Sequence, residues 1–135
     1  MLPRLSLFYF VYYAAVAVQM AFLPSFLLAR GLNTAQLGQA QLIHSTLSAG
    51  FALVWARAAD RASDPSFVLR LTTAVAAVWG TGMVFAPSAA WLMIMWSTLG
   101  VIGLGIIPIV DGITVNQTAG NARWPYGRIR VWGSV

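Results

Sequence analysis

The sequence contains no cysteine and few charged side chains, so several protein classes are excluded at once. Without cysteine the chain has no disulfide framework, no thiol nucleophile and no thiolate metal site. Eight basic and three acidic residues are spread over 135 positions, whereas 59% of the residues are apolar. A soluble domain of this size needs more polar side chains to cover its wetted surface. We therefore expect lipid to be the main solvent of an all-α, integral membrane helical bundle.

The net charge of +5 does not indicate a nucleic-acid partner. Nucleic-acid binding favours basic residues clustered on one face, but here the arginines stand between apolar runs, which is typical of membrane topology. No set of serine, histidine and acid and no metal-ligand spacing is visible along the sequence. We therefore expect no enzymatic activity, no metal site and no cofactor.

Long uncharged runs predict four membrane spans. At 1.5 Å per residue, each must cover a hydrocarbon core of about 30 Å. The run 71–110 is about twice as long as one span needs, and Ala86-Pro87-Ser88-Ala89 is the turn that divides it into a hairpin. A fifth helix is expected to begin near residue 127. The predicted spans are 5–29, 35–56, 67–86 and 90–111.

Capping residues mark the boundaries of the first three spans. Gly31 suits a helix C-cap, and either Asn33 or Thr34 suits the next N-cap. Asp64-Pro65 is typical of an N-cap followed by proline at the first helical position. A cleaved signal peptide is the alternative for the first span, because Arg4 precedes an apolar stretch, but the apolar core of a signal peptide is shorter than this run.

The distribution of arginine predicts the orientation in the membrane. When loops are numbered alternately, only Arg30 falls on one side. The other seven are Arg4, Arg57, Arg61, Arg70, Arg123, Arg128 and Arg130. The positive-inside rule then makes the N-terminus, the 57–66 loop and the 112–127 segment cytoplasmic. We expect a multi-pass protein of the cell's inner or plasma membrane, with interfacial anchors at Tyr9, Tyr12, Tyr13, Trp55, Trp91 and Trp124.

Polar side chains within the expected spans are candidates for function. Gln41, His44, Ser45 and Ser48 recur at three- and four-residue spacing on one helix face, and Gln19 adds a polar group to the first span. They indicate either a cavity, with Gln19 and His44 in substrate binding or proton coupling, or hydrogen bonds between helices. The glycines at 100, 103 and 105 are interpreted as sites of close helix packing or flexing.

Asp111 ends the longest uncharged run, where a carboxylate is costly unless it is solvated or paired. Arg128 and Arg130 are its expected partners if the chain re-enters the membrane near Tyr126, and a transporter could break such a bridge on protonation or substrate binding. The alternative is that Asp111 is solvated in the cytoplasm while both arginines extend to the interface.

Several strings together resemble one family. They are Phe22-Leu23-Pro24, Gly31-Leu32 with Gln36-Leu37-Gly38, Asp60-Arg61 with Ser63-Asp64-Pro65-Ser66, Pro108 with Asp111, and the terminal string Tyr126-Gly127-Arg128-Ile129-Arg130-Val131-Trp132-Gly133-Ser134. Over essentially its whole length the chain resembles the major facilitator superfamily, and within it the group of 3-phenylpropionate transporters and oligosaccharide and nucleoside proton symporters. The terminal string is the most specific of these matches.

The resemblance implies a protein with twelve helices in two six-helix halves, which exposes a central site to each side of the membrane in turn. The chain would then be part of the N-terminal half, and its partners would be the missing C-terminal helices, the lipid bilayer, a small-molecule solute and protons. Asp60 and Arg61 match the conformational latch of the superfamily. Arg130 matches a substrate-binding arginine of the lactose permease, and an aromatic carboxylate such as 3-phenylpropionate would suit it.

The function expected from these observations is proton-coupled symport of a small organic solute by alternating access. One alternative is a small multidrug exporter, but such exporters use an acid inside the first span, which this sequence lacks. The other is a four-helix membrane protein without transport activity, either a structural or interaction subunit or an inactive fragment.

Overall fold

The computed structural model describes residues 2–119 and 124–134, and this part of the chain is helical with no strand. The α-helices are α1 (Leu2–Ala29), α2 (Thr34–Arg61), α3 (Pro65–Gly82), α4 (Ala89–Gly103), α5 (Ile106–Thr118) and α6 (Tyr126–Arg130). Short 3-10 segments follow α3 at Met83–Phe85 and α6 at Val131–Gly133. The predicted all-α fold class is confirmed. Arg123, one of the arginines used to predict the orientation, lies outside the described residues.

The chain is organised as two compact units. The first unit combines Met1–Leu23 with Val110–Val135, and the second is Pro24–Ile109. The boundaries between the units fall inside α1 and α5, so each of these helices contributes to both units.

Local capping explains where the helices of the second unit begin and end. Gly31 follows α1 with a φ of 100°, a conformation that favours glycine because it has no Cβ. Asn33 then forms a capping box with Gln36, in which the backbone N–H of Gln36 donates to Asn33 over 2.8 Å and the backbone N–H of Asn33 donates to Gln36 over 2.9 Å. Asp64 accepts from the backbone of Ser66 ahead of α3. The predicted caps at Gly31, Asn33 and Asp64 are confirmed.

In the second unit α4 packs mainly against α2 and also against α3. Gly100 makes the α2 contact possible, since a Cβ there would lie 2.8 Å from His44 Nδ1 and even closer to Ser48. Gly105, just beyond α4, lies equally close to the ring of Trp55. The interpretation of these two glycines as sites of close packing is confirmed. A Cβ at Gly103, in contrast, would have no atom within 4 Å.

In the described part of the chain, three segments are long and apolar enough to cross a membrane, judged by length and composition. They are Pro3–Ala29, Pro65–Phe85 and Ala89–Thr118, the last of which contains both α4 and α5. The expected second span, 35–56, lies within α2, a helix of 28 residues that is long enough but less apolar. The polar face of α2, which includes Gln41 and His44, makes this helix less apolar than the other three expected spans. For this reason three segments, rather than the predicted four, meet the criteria of length and composition.

The helix boundaries near Asp111 also differ from the prediction. A span over 90–111 was expected, but α4 ends at Gly103 and α5 continues to Thr118. The hydroxyls of Thr114 and Thr118 each donate to the carbonyl four residues earlier, which uses their polar groups within the helix. Asp111 therefore lies in the middle of a helix rather than at the end of a span.

Candidate functional site

Asp111 is hydrogen-bonded to the first helix of the chain. It lies on α5 in the first unit, and its side chain is 24% exposed. The fully buried Tyr9 of α1 donates its hydroxyl to Asp111 Oδ1 over 2.5 Å. Thr114 Oγ1 lies 3.3 Å from the same phenol oxygen, but its proton is directed to the carbonyl of Val110 at 2.7 Å. The Tyr9 proton is therefore directed to the carboxylate, and this charge-assisted bond links α1 to α5.

The second oxygen of the same carboxylate faces α6. Arg130 Nη2 lies 3.8 Å from Asp111 Oδ2, and the arginine side chain is 48% exposed. A second guanidinium nitrogen, Nη1, donates to the hydroxyl of Tyr126 over 2.9 Å. Of the two arginines predicted as partners, Arg130 forms the ion pair. A separation of 3.8 Å is near the outer limit for an ion pair, so modest changes in charge or geometry would break it.

Tyrosine side chains surround this pair. Tyr13 lies one turn after Tyr9 on the same face of α1, and their rings stack at a centroid distance of 6.5 Å. Gly133 lies against Tyr13 so closely that a Cβ there would be 2.5 Å from the ring. The hydroxyl of Tyr126 accepts from Arg130 and therefore lies beside the ion pair. We call this group the Asp111 cluster, and its members are Tyr9, Tyr13, Asp111, Thr114, Tyr126 and Arg130.

Two other predicted residues of the first unit lie apart from the ion pair. The guanidinium of Arg128 lies over the ring of Trp124, 4.9 Å from its centroid. Gln19 is half-buried on α1, about 15 Å along the helix axis from Tyr9 at 1.5 Å per residue. Their roles in substrate binding or coupling remain predictions.

His44 belongs to the second unit, where it joins α2 to α4. Its ring stacks on Trp96 at a centroid distance of 4.0 Å and an interplanar angle of 6°. Nδ1 donates to the backbone carbonyl of Trp96 over 2.9 Å, and the Trp96 indole donates to Gln41 over 3.3 Å. Of the two interpretations of this polar face, these bonds favour hydrogen bonding between helices.

Asp60 and Arg61 are exposed in the last turn of α2. The ion pair of this region forms between Asp64 and Arg70 at 3.4 Å, and both side chains are largely exposed. The assignment of Asp60 and Arg61 to a conformational latch remains a prediction.

The sequence did not reveal the tyrosines as members of the site. Tyr9 was interpreted as an interfacial anchor, but it is fully buried and bound to Asp111, so that interpretation is wrong for this residue. The four-residue spacing of Tyr9 and Tyr13 was the available signal, since it places two hydroxyls on one face of an apolar helix.

In the described part of the chain no three histidine or acidic side chains are grouped as a metal site would require.

Apolar helices of spanning length define the class of this protein as a multi-pass membrane protein. The model of the MFS_1 like family matches residues 2–135, and the chain belongs to this family. It is therefore a protein of the major facilitator transporter type, and the resemblance to that superfamily is confirmed. A search of curated proteins found no match to the chain, and a search of solved structures found none either.

Proposed function

We propose that the chain acts in proton-coupled symport of a small organic anion of the aromatic carboxylate class, such as 3-phenylpropionate. It does so from the cell's inner or plasma membrane, with its N-terminus in the cytoplasm. The observation that carries this proposal is the Asp111 carboxylate, held by Tyr9 on one oxygen and facing Arg130 on the other. Membership of the MFS_1 like family supports the transport class.

The ion pair couples a proton to an anion by simple competition. A charged Asp111 neutralises Arg130, so a solute carboxylate has little to gain by binding there. A proton on Oδ2 removes that charge, and the partly exposed guanidinium of Arg130 can then bind the solute carboxylate through two parallel hydrogen bonds. Proton and anion therefore bind together, as symport requires.

Tyr9 acts as a positioning residue in this scheme. Because its hydroxyl is directed to Oδ1, protonation is directed to Oδ2, the oxygen that faces Arg130. The neutral carboxyl stays attached to α1 while its attraction to α6 is lost. The cluster connects three helices, so a change of charge at one carboxyl alters which helices are held together, and such a change can drive alternating access.

The proposal is tested by uptake of 3-phenylpropionate into vesicles under an imposed pH gradient. The 135-residue chain is compared with a version extended through any reading frame that follows it, because helices beyond this chain are expected to complete the transport path. Gradient-driven uptake by the extended form supports the proposal. If no form takes up or binds an aromatic carboxylate, a membrane protein without transport activity is the better interpretation.

Two substitutions in the transporting form examine the mechanism. Asp111→Asn should abolish gradient-driven accumulation while retaining anion binding, because asparagine has no charge with which to neutralise Arg130 at any pH. Arg130→Gln should lose anion binding. Asp64→Asn is the matched control, since it removes an exposed carboxylate outside the cluster and keeps a good N-cap residue. Unchanged transport after neutralising either Asp111 or Arg130 would contradict the mechanism.

A further inference from the structure

The first unit contains an apolar cavity that the transport proposal does not use. Its volume is about 310 Å³, at the lower end of the range of about 300–1,000 Å³ that is typical of small-molecule sites. The walls are formed by the first turns of α1, by Trp124 just before α6, and by Trp132 in the terminal 3-10 segment. The lining residues are Pro3, Ser6, Leu7, Phe10, Trp124 and Trp132.

One lining residue is polar and has no partner. Ser6 is 7% exposed, and its hydroxyl oxygen is buried without a hydrogen bond in the structure. Most buried hydroxyls are hydrogen-bonded, because leaving one unpaired costs free energy. The cavity wall therefore offers the unpaired hydroxyl of Ser6 in mostly apolar surroundings, which suits a ligand that is mostly hydrocarbon with an acceptor group.

Two arginines adjoin residues that line the same cavity. Arg4 is exposed on the first turn of α1, next to the lining residue Pro3. The Arg128 guanidinium lies over the ring of the lining residue Trp124. Among the described residues, no acidic side chain lines the cavity. Its surroundings are thus complementary to an anionic group attached to an apolar tail.

The cavity walls are exposed in a way that suits lipid. Leu7 is 61%, Phe10 43% and Trp132 47% exposed, so the walls open to the surroundings of the unit. Tryptophan and arginine at the end of an apolar helix are typical of the membrane interface, where anionic headgroups attract basic side chains. A lipid reaches such an open wall directly from the bilayer, whereas a water-soluble solute would have to displace the surrounding acyl chains from it.

We propose that this cavity binds an anionic phospholipid. The upper part of one acyl chain occupies the space between Phe10 and the two tryptophans, and Ser6 donates to an ester carbonyl of the lipid. Arg4 and Arg128 bind the phosphate and the anionic headgroup. The cavity shares no lining residue with the Asp111 cluster, so lipid binding and transport can each fail without the other.

Native mass spectrometry of the full 135-residue chain, released from detergent micelles, tests this directly. The protein is offered equal amounts of phosphatidylglycerol and phosphatidylcholine with identical acyl chains. We expect one phosphatidylglycerol to be retained preferentially. Because a basic residue near an anionic lipid surface contributes about a fivefold gain in affinity, Arg4→Gln should lower the preference about fivefold, and Arg4→Gln with Arg128→Gln about 25-fold.

Matched variants separate a defined site from general charge attraction. Arg57→Gln removes an exposed arginine of the second unit and should leave the preference unchanged. Trp132→Ala should reduce retention of both lipids, because it removes a wall of the acyl cavity. Circular dichroism and size-exclusion chromatography check that each variant remains folded. Equal retention of both lipids by the unaltered chain, or an Arg57→Gln effect as large as that of Arg4→Gln, would overturn the proposal.

Discussion

Replacing Gly100 with alanine should loosen the packing of α4 on α2. The added Cβ would lie 2.8 Å from His44 Nδ1 and 2.9 Å from Cε1, and closer still to the Ser48 hydroxyl. Ser48 can relieve its contact by rotation about χ1. His44 has less freedom, because its ring is stacked on Trp96 and bonded to the Trp96 carbonyl. The backbone of one helix must therefore move away from the other.

The magnitude follows from two opposing effects. Overpacking of a filled interface costs about 1–3 kcal/mol. The higher helix propensity of alanine returns about 0.8–1 kcal/mol. Gly50→Ala is the matched control, since Gly50 lies inside α2 and a Cβ there would have no atom within 4 Å. Both substitutions raise the helix propensity at their positions. The difference in unfolding free energy between the two variants, about 1–3 kcal/mol, is therefore the packing cost.

The assay is reversible unfolding of the chain in detergent by a denaturing surfactant, followed by circular dichroism. Gly50→Ala should be neutral or more stable than the unaltered chain, and Gly100→Ala less stable than the control. Adding Ser48→Ala to Gly100→Ala should recover part of the loss, because it removes the nearest atom and also a buried hydroxyl without a partner. Equal stability of Gly100→Ala and Gly50→Ala would refute the close contact of α2 with α4.

Three further substitutions examine other contacts by the same unfolding measurement. Tyr9→Phe deletes the donor to Asp111 and should cost about 1.5–3 kcal/mol, the usual contribution of a hydrogen bond to a charged group; no loss would contradict the link between α1 and α5. Asn33→Ala removes the capping box with Gln36 and should cost about 1 kcal/mol, whereas Asn33→Ser should retain most of the stability. Gly31→Ala forces a side chain into a positive φ at a cost of about 1–2 kcal/mol, and a stabilised variant would show that this turn can take another conformation.

Much of the helical layout could be predicted because it depends on neighbours in the sequence. Asn33 and Asp64 cap helices because their side chains accept from backbone N–H groups two or three residues later in the sequence. Gly31 follows a helix end because it can adopt a positive φ. The end of α4 was harder to place. Pro108 weakens the helix near Leu104, because it cannot donate to the carbonyl four residues earlier, but Pro24 lies inside α1 without ending it. The contact of Gly105 with Trp55, which involves a distant segment, could not be predicted from the local pattern.

The candidate site was predictable only in part. An acid beside a long apolar run signals a need for a partner, and two nearby arginines limited the choice to Arg128 or Arg130. Periodicity also placed His44 and Gln41 on one face of α2, but it could not distinguish a cavity from an interhelical contact. That distinction required Trp96, which is 52 residues from His44 and 55 from Gln41 in sequence.

By itself, the sequence determined that lipid is the main solvent, that the chain is helical and where most helices begin, because composition and local backbone chemistry decide these properties. Only the tertiary structure decided that Arg130 rather than Arg128 faces Asp111, and that Tyr9 is a buried hydrogen-bond donor rather than an interfacial anchor. Tyr9 and Asp111 are 102 residues apart. No local periodicity carries information over that distance, since such a contact depends on how whole helices pack.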